Sequence, residues 1–339
     1  MQRSTKGALA LVCALALSAA ALPARAEMSE IHVAEQYGIS YLPLMIMQDR
    51  KLIEKHAKAE GIDVKIAWSK FAGGNVMNDA LLSGSLQFAS GGVGPLITLW
   101  AKTHGNLDVK AVSAINSMPL YLVSSDPAVR TVKDLSDKDR IALPAVEVSI
   151  QAVTLQMAAE KAFGPGQEHK LDHLTVSLSH PDAMTALLSG RSEINGHFGS
   201  PPFQYQELEH PGVHLVLNSY DVLGGPATFN TVWTTAKFRK ENPKIYRAFV
   251  DALDESMKII NGDKKAAAED YLRLAKSKLS LDSVVHMLND PNIVFTTTPQ
   301  GVTKYADFMY KVGSIKVKPE SWKNIGKGDR QPSLTRERL

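Results

Sequence analysis

Short apolar runs alternate with longer amphipathic ones along this chain, and the change of spacing from two to about 3.6 predicts strands interleaved with helices. In a first block, residues 31–34, 64–68, 86–89 and 109–114 predict strands. Between them the pattern predicts a helix from Pro43 to about Glu60 stopped by Gly61, a short helix over 75–82 closed by Ser83-Gly84, and a helix opened by Pro95. A second block repeats the scheme, with strands over 120–124, 140–143, 174–177, 194–198 and 213–217. Its helices are a turn over 132–135, a long helix capped by Ser149 and ending at Phe163-Gly164, a helix over 181–188, and one starting at Pro201-Pro202. A strand over 229–234 then leads into a helical remainder, where Ile245, Phe249, Leu253, Met257 and Ile260 share one face and further helices cover 264–275, 281–288 and 299–312. Such alternation is the mark of α/β layering.

The joints between these elements carry the chemistry. Strands end in Gly- or Ser-containing loops that run straight into helix starts, at residues 71–75, 90–95, 147–149 and 199–202. Open α/β sheets bind ligands at the carboxyl ends of their strands, where the first N–H groups of each helix have no intrahelical partner. Gly73, Gly74 and Asn75, and likewise Ser90, Gly91, Gly92 and Val93, are therefore candidates to offer backbone donors to a polar ligand. Tyr37 and Tyr41, in the first strand-to-helix loop, have rings with polar tips that suit a pocket wall. Ser149 caps its helix and is placed to touch a ligand as well, while Met118 would be an adaptable wall. Phe71 and Phe229 would suit an aromatic solute, and Thr228 and Asn230 stand where the chain returns to its first block.

Composition removes several function classes. Arg3 and Lys6, an apolar run over 8–22 and Ala24-Arg25-Ala26 read as a cleavable export leader over residues 1–26. Its loss takes three basic residues and no acid, so the mature chain is formally neutral and has no field for nucleic acid or anionic lipid. Cys13 is the single cysteine and lies in that leader, which excludes disulfides, thiolate metal sites and a Cys nucleophile from the mature protein. His169 and His173, and His210 and His214, have helical spacing but no acidic third ligand, and no His-Glu-x-x-His, phosphate loop or Gly-x-Ser-x-Gly elbow is present. No metal and no cofactor is expected. The charged, apolar-poor residues 327–339 predict a loosely ordered tail.

Three stretches, in order, carry a family likeness. The first runs from Tyr41-Leu42-Pro43 through Gly73-Gly74 and Ala80-Leu81-Leu82-Ser83-Gly84 to Gly92-Val93-Gly94-Pro95. The second is Thr131-Val132-Lys133-Asp134-Leu135 with Ile141-Ala142-Leu143-Pro144. The third runs from Met184-Thr185-Ala186-Leu187-Leu188-Ser189-Gly190 through Glu193-Ile194-Asn195-Gly196 to Pro201-Pro202. Together the sequence resembles the nitrate/sulfonate/taurine-type family of ABC solute-binding proteins, which includes thiamine-precursor binders. That resemblance implies a bilobal α/β periplasmic-binding-protein fold of type II, with two crossovers and a hinge. Lobe 1 would hold residues 27–117 and 226–326, and lobe 2 residues 118–225. It implies a monomeric, non-catalytic protein of the periplasm that captures a small-molecule solute, sulfonate-like or aromatic carboxylate-like, and hands it to the membrane permease subunits of an ABC importer. It also points His197 into the cleft and adds Ser117, Gly199 and Ser200 to the candidate pocket. Two pocket positions depart from the pattern: Val146-Glu147-Val148-Ser149 replaces a Gly-Ser-Gly-like turn, and His197-Phe198-Gly199 replaces an aromatic. Competing functions are an enzyme on the same fold, of pyrimidine or menaquinone-pathway type, and a solute sensor feeding a receptor.

Overall fold

The computed structural model describes residues 26–326, so the expected leader, apart from its last residue, and the expected tail lie outside the described residues. Among the described residues there are ten strands: β1 (Glu30–Glu35), β2 (Lys65–Lys70), β3 (Ala89–Gly92), β4 (Val109–Ala114), β5 (Tyr121–Ser124), β6 (Ile141–Leu143), β7 (Thr175–Ser177), β8 (Gly196–Phe198), β9 (His214–Asn218) and β10 (Asn230–Thr235). They form two separate arrays. In one, β1 pairs β2 in parallel and meets β3 through a bridge from Val33 to Phe88, while β10 lies antiparallel between β3 and β4. In the other the order is β7-β6-β8-β5-β9, with β5 antiparallel to both its neighbours. Each lobe thus has one reversed strand, and in each it is the strand that arrives directly from the other lobe.

The chain passes between the arrays over residues 115–120 and 219–229, and these connections are tied to each other. Ser117 Oγ donates to the Ala227 carbonyl at 2.7 Å and meets the Tyr220 hydroxyl at 3.0 Å. Ser219 N donates to the Leu120 carbonyl at 2.9 Å, and Leu120 N to Ser219 Oγ at 2.8 Å. Asn116 bonds Ser40 O through Nδ2 and accepts from Asn230 N through Oδ1. Ser117 also exchanges backbone hydrogen bonds with Val294, so the helical remainder braces the connection. Paired buried polar groups of this kind hold a two-stranded link in one register, and the main apolar core runs through both arrays.

The long helices fit their sequence. Helix Pro243–Gly262 starts on proline and buries Ile245, Ala248, Phe249, Ala252, Leu253, Met257 and Ile260, a stripe at three- and four-residue spacing. Two expectations need correction. The helix expected from Pro43 to Glu60 is two helices, Leu42–Asp49 and Leu52–Ala59, because Lys51 adopts a left-handed backbone (φ 49°) that no α-helix continues through. The strand expected over 86–89 runs instead from Ala89 to Gly92, so Ser90 and Gly91 lie in a sheet rather than a loop. Trp233 on β10 explains the composition: a methyl on Gly91 would stand 3.2 Å from its ring. Phe88 anchors this lobe, fully buried, stacked on Phe249 at 3.9 Å and edge-on to Phe238 at 5.2 Å. Phe88→Ala should destabilise the protein by about 3–5 kcal/mol, read as a lower urea midpoint with little change in slope.

Candidate functional site

Four helices, two from each lobe, begin around one small cavity. They are Gly74–Leu82, Val93–Thr103, Ile150–Phe163 and His180–Ser189. The cavity is lined by Gln36, Tyr41, Gly74, Gly92, Pro95 and Phe229 from one lobe and by Pro144, Ser149, Ile150, Gln151 and His180 from the other. Each helix start brings the positive end of its dipole to the cavity, while part of its backbone donors is already spent: Val93 N on Phe229 O, Ala152 N on Ser149 Oγ and Asp182 N on Ser179 Oγ. No Lys, Arg, Asp or Glu lines the cavity. Its positive character therefore comes from main-chain dipoles and neutral donors.

The lobes meet at glycines around this cavity. A methyl group on Gly73 would lie 2.6 Å from the Pro144 carbonyl oxygen, on Gly92 2.6 Å from Ile150 Cγ2, on Gly94 2.6 Å from the Val148 carbonyl oxygen, and on Gly38 2.7 Å from the Pro201 carbonyl oxygen. Gly38 also has φ +107°, and the next residue, Ile39, donates its N–H to that same Pro201 oxygen at 3.3 Å. Only about 20 Å³ remains open to the centre of a water molecule, roughly the room of one water. A solute of several heavy atoms enters only if the lobes part.

Of the residues predicted from sequence, the structure brings Tyr41, Gly74, Gly92, Ser149 and Phe229 to the cavity lining. Tyr41 is buried beside the Asn230 amide, and burial, with the nearby Glu35 charge, holds its hydroxyl well above the usual tyrosine range, so it remains a donor. The Asn230 amide itself is fully buried and short of well-formed hydrogen bonds. Ser149 accepts the Ala152 N–H at 3.2 Å as helix cap. Gly73 and Gly91 lie against the lining, Gly73 under Pro144 and Gly91 under Gln36.

The other candidates have different surroundings. Tyr37 is half-buried under Lys70 Nζ, 5.4 Å from its ring centre, Phe71 is half-buried, and Asn75 is exposed. Ser90 Oγ donates to Ala34 O at 2.5 Å, and Val93 N donates to Phe229 O at 3.2 Å. Ser117 and Thr228 serve the connections between lobes, Thr228 Oγ1 accepting Gln300 N at 2.8 Å, and Met118 is core. Gly199 N donates to Tyr121 O at 2.8 Å, and Ser200 Oγ is buried without a protein partner.

His197 stands one layer behind the cavity. On β8 it is fully buried, with Nε2 at 2.8 Å from His180 Nδ1 and Nδ1 at 2.5 Å from Glu207 Oε1. His180 in turn lines the cavity, stacks on Phe203 at 5.7 Å and has Nε2 at 3.3 Å from Gln151 Nε2. Sequence reasoning missed Gln36, Gln151 and His180, although all three sit at strand-end or helix-start positions of the kind that singled out the others. Glu207 had no such signal, because only packing of helix Phe203–Leu208 on β5 and helix His180–Ser189 turns it inward. The three groups lie in a row rather than around a point, and among the described residues no group of three His, Cys, Asp or Glu side chains could hold a metal ion.

Burial sets the protonation of this row. It pushes the Glu207 carboxyl up to about 9 and His197 down to about 3, and lowers His180 well below the usual histidine range. All three are then uncharged at neutral pH. Between the ordinary carboxylate range and about pH 9, the folded protein keeps a Glu207 proton that the unfolded chain releases. Stability falls as pH rises across that window. The histidines act on the acid side: below about pH 6.5 the unfolded chain binds protons that the folded one refuses, so stability falls as pH drops. Glu207→Gln should abolish the alkaline decline and leave the acid one in place, measured as urea unfolding free energy from pH 4 to about 10.

The NMT1-like family model matches residues 25–275. Among solved structures, the alkanesulfonate-binding protein SsuA of Xanthomonas axonopodis pv. citri bound to MOPS superposes with a TM-score of 0.67 at 20% identity, covering 86% of this chain and 95% of that one. The periplasmic aliphatic sulphonate-binding protein SsuA of Escherichia coli gives 0.63 at 18%, covering 88% and 99%. The periplasmic nitrate-binding protein NrtA of Synechocystis PCC 6803 gives 0.61 at 13%, covering 88% and 84%. No curated protein sequence matches the chain significantly. The fold is the bilobal one of periplasmic binding proteins, and the chain belongs to the NMT1-like family.

Proposed function

We propose that this protein is the solute-binding component of an ABC importer, exported to the periplasm, and that its lobes close by a hinge over a small organic solute. The observation that carries this reading is the cavity itself, walled by both lobes and too small to admit a solute without their separation. The lobes would be residues 27–117 with 226–326, and residues 118–225, moving about the connections tied by Ser117 and Ser219. Permease subunits would be the receiving partner. The basic, apolar and small-x-small opening of the sequence supports export.

The cavity favours an anion. Four helix starts supply positive dipole ends, the Tyr41 hydroxyl and the amides of Gln36 and Gln151 supply donors, and no carboxylate lines the wall to repel an anion. Phe229, Pro95, Pro144 and Ile150 supply the flat apolar surface that an aromatic or short alkyl group would cover. Sulfonates and aromatic carboxylates fit both features. Fixed cations are absent from the lining, so grip would come from many short donors rather than one ion pair.

A thermal-shift screen of alkyl and aryl sulfonates, aromatic carboxylates, pyrimidines and nitrate tests the reading. A ligand at a hundredfold excess over its Kd adds about 2.7 kcal/mol, equivalent to several degrees for a chain of this size. A Tm raised by at least one organic anion is the expected result. Indifference to every compound at millimolar concentration contradicts it.

A further inference from the structure

We propose that Glu207, His197 and His180 form a directional hydrogen-bond relay that fixes His180 as a donor to an oxyanion of the captured solute. The inference rests on the reading of the cavity as the solute site. His180 is the residue that touches the cavity, while His197 and Glu207 are positioning residues behind it.

The direction follows from counting protons. His197 has a partner on each ring nitrogen, Glu207 Oε1 on Nδ1 and His180 Nδ1 on Nε2. Burial keeps His197 uncharged, and a neutral imidazole carries one N–H, so the row can point only two ways. Pointing inward, His180 Nδ1–H donates to His197, His197 Nδ1–H donates to Glu207, and Glu207 is an anion. That carboxylate would be wholly buried, with its second oxygen unpartnered and no cation beside it. Pointing outward, the protonated Glu207 carboxyl donates to His197 Nδ1, His197 Nε2–H donates to His180 Nδ1, and His180 Nε2–H faces Gln151 and the cavity. The whole row is then neutral. An uncompensated buried carboxylate costs several kcal/mol, so the outward arrangement is the one the interior permits. Gln151 does not oppose it, because its amide presents either oxygen or N–H to His180 by turning over.

The surroundings leave the proton with the row. His180 begins its helix, where the positive dipole end disfavours an imidazolium. On the same helix, Asp182 accepts Ser179 Oγ at 2.5 Å. Asp139, two residues before β6, accepts Asn195 Nδ2 at 2.7 Å, and Arg140 Nη1 donates to Asp137 and Asp139 carbonyls. Tyr205, on the helix of Glu207, meets Tyr121 of β5 ring to ring at 5.7 Å, and both hydroxyls titrate above their usual range because they are buried. Glu209 lies on the exposed end of that helix.

The relay makes a prediction that a merely structural role does not. Imidazole-labelled intact protein, studied by long-range proton–nitrogen NMR without solute, should show both His180 and His197 as Nε2–H tautomers at neutral pH. They should change together only as pH passes about 9, where Glu207 gives up its proton. Glu207→Gln has no proton to give up, so whichever tautomers it shows at neutral pH should persist as pH rises through about 9. With benzenesulfonate and benzoate as probes, wild-type affinity should fall about tenfold per pH unit above that point, whereas Glu207→Gln should lose none. Nδ1–H tautomers at neutral pH, or an alkaline loss of affinity unchanged in Glu207→Gln, would overturn the proposal. The tautomers are read without solute, so their failure leaves the solute-binding reading standing. Correct tautomers with neither probe bound at any pH would overturn the donor role of His180.

Discussion

The distance of closest approach between the two lobes governs this structure. Backbone of one lobe reaches carbonyl oxygens and an isoleucine of the other at Gly38, Gly73, Gly92 and Gly94, each time within the space a Cβ would need. Glycine here serves contact between two halves of the protein as much as freedom of the chain. Because the lobes meet at these points, four helix starts converge on one cavity with the positive ends of their dipoles. Anything that keeps the lobes a methyl apart would disperse that set of donors.

The second consequence is electrostatic. An anion held between these lobes would leave water for a lining that contains no cationic side chain. Main-chain dipoles and neutral donors can compensate it only if they are fixed in advance, since each is weak and several must act together. The buried row from Glu207 to His180 is fixed in this sense: stacked on Phe203, tied to Gln151 and uncharged throughout. The connections between lobes, knitted by Ser117, Ser219 and Asn116, hold the two halves in one register.

Much of this was legible in the sequence, for a physical reason. Strand and helix periods reflect burial of one face, so the order of elements, the capping role of Ser149 and the β/α joints at Gly73-Gly74 and Gly92 could be read locally. The family likeness supplied the two-lobed arrangement. What escaped depends on long-range packing. The break at Lys51 is a single backbone torsion, and the strand through Ser90 and Gly91 exists because β10 lies beside it. His197 was visible as a titratable group at a strand end, but its place behind His180 was not. Glu207 carries no local mark at all, because only the fold brings a helical carboxyl against a buried histidine.

Closure itself is open to direct measurement. The single cysteine, Cys13, lies in the expected leader, so spin labels can be placed at the exposed Asn75→Cys and Glu147→Cys positions on opposite lobes and their separation read by pulsed electron resonance. Gly94 has an ordinary helical backbone, so Gly94→Val adds bulk against Val148 without torsional strain. Glycine-mediated closure requires a short separation in the wild-type background and a longer one with Gly94→Val, with loss of solute affinity. The same separation and the same affinity in both would show that the lobes do not depend on that contact.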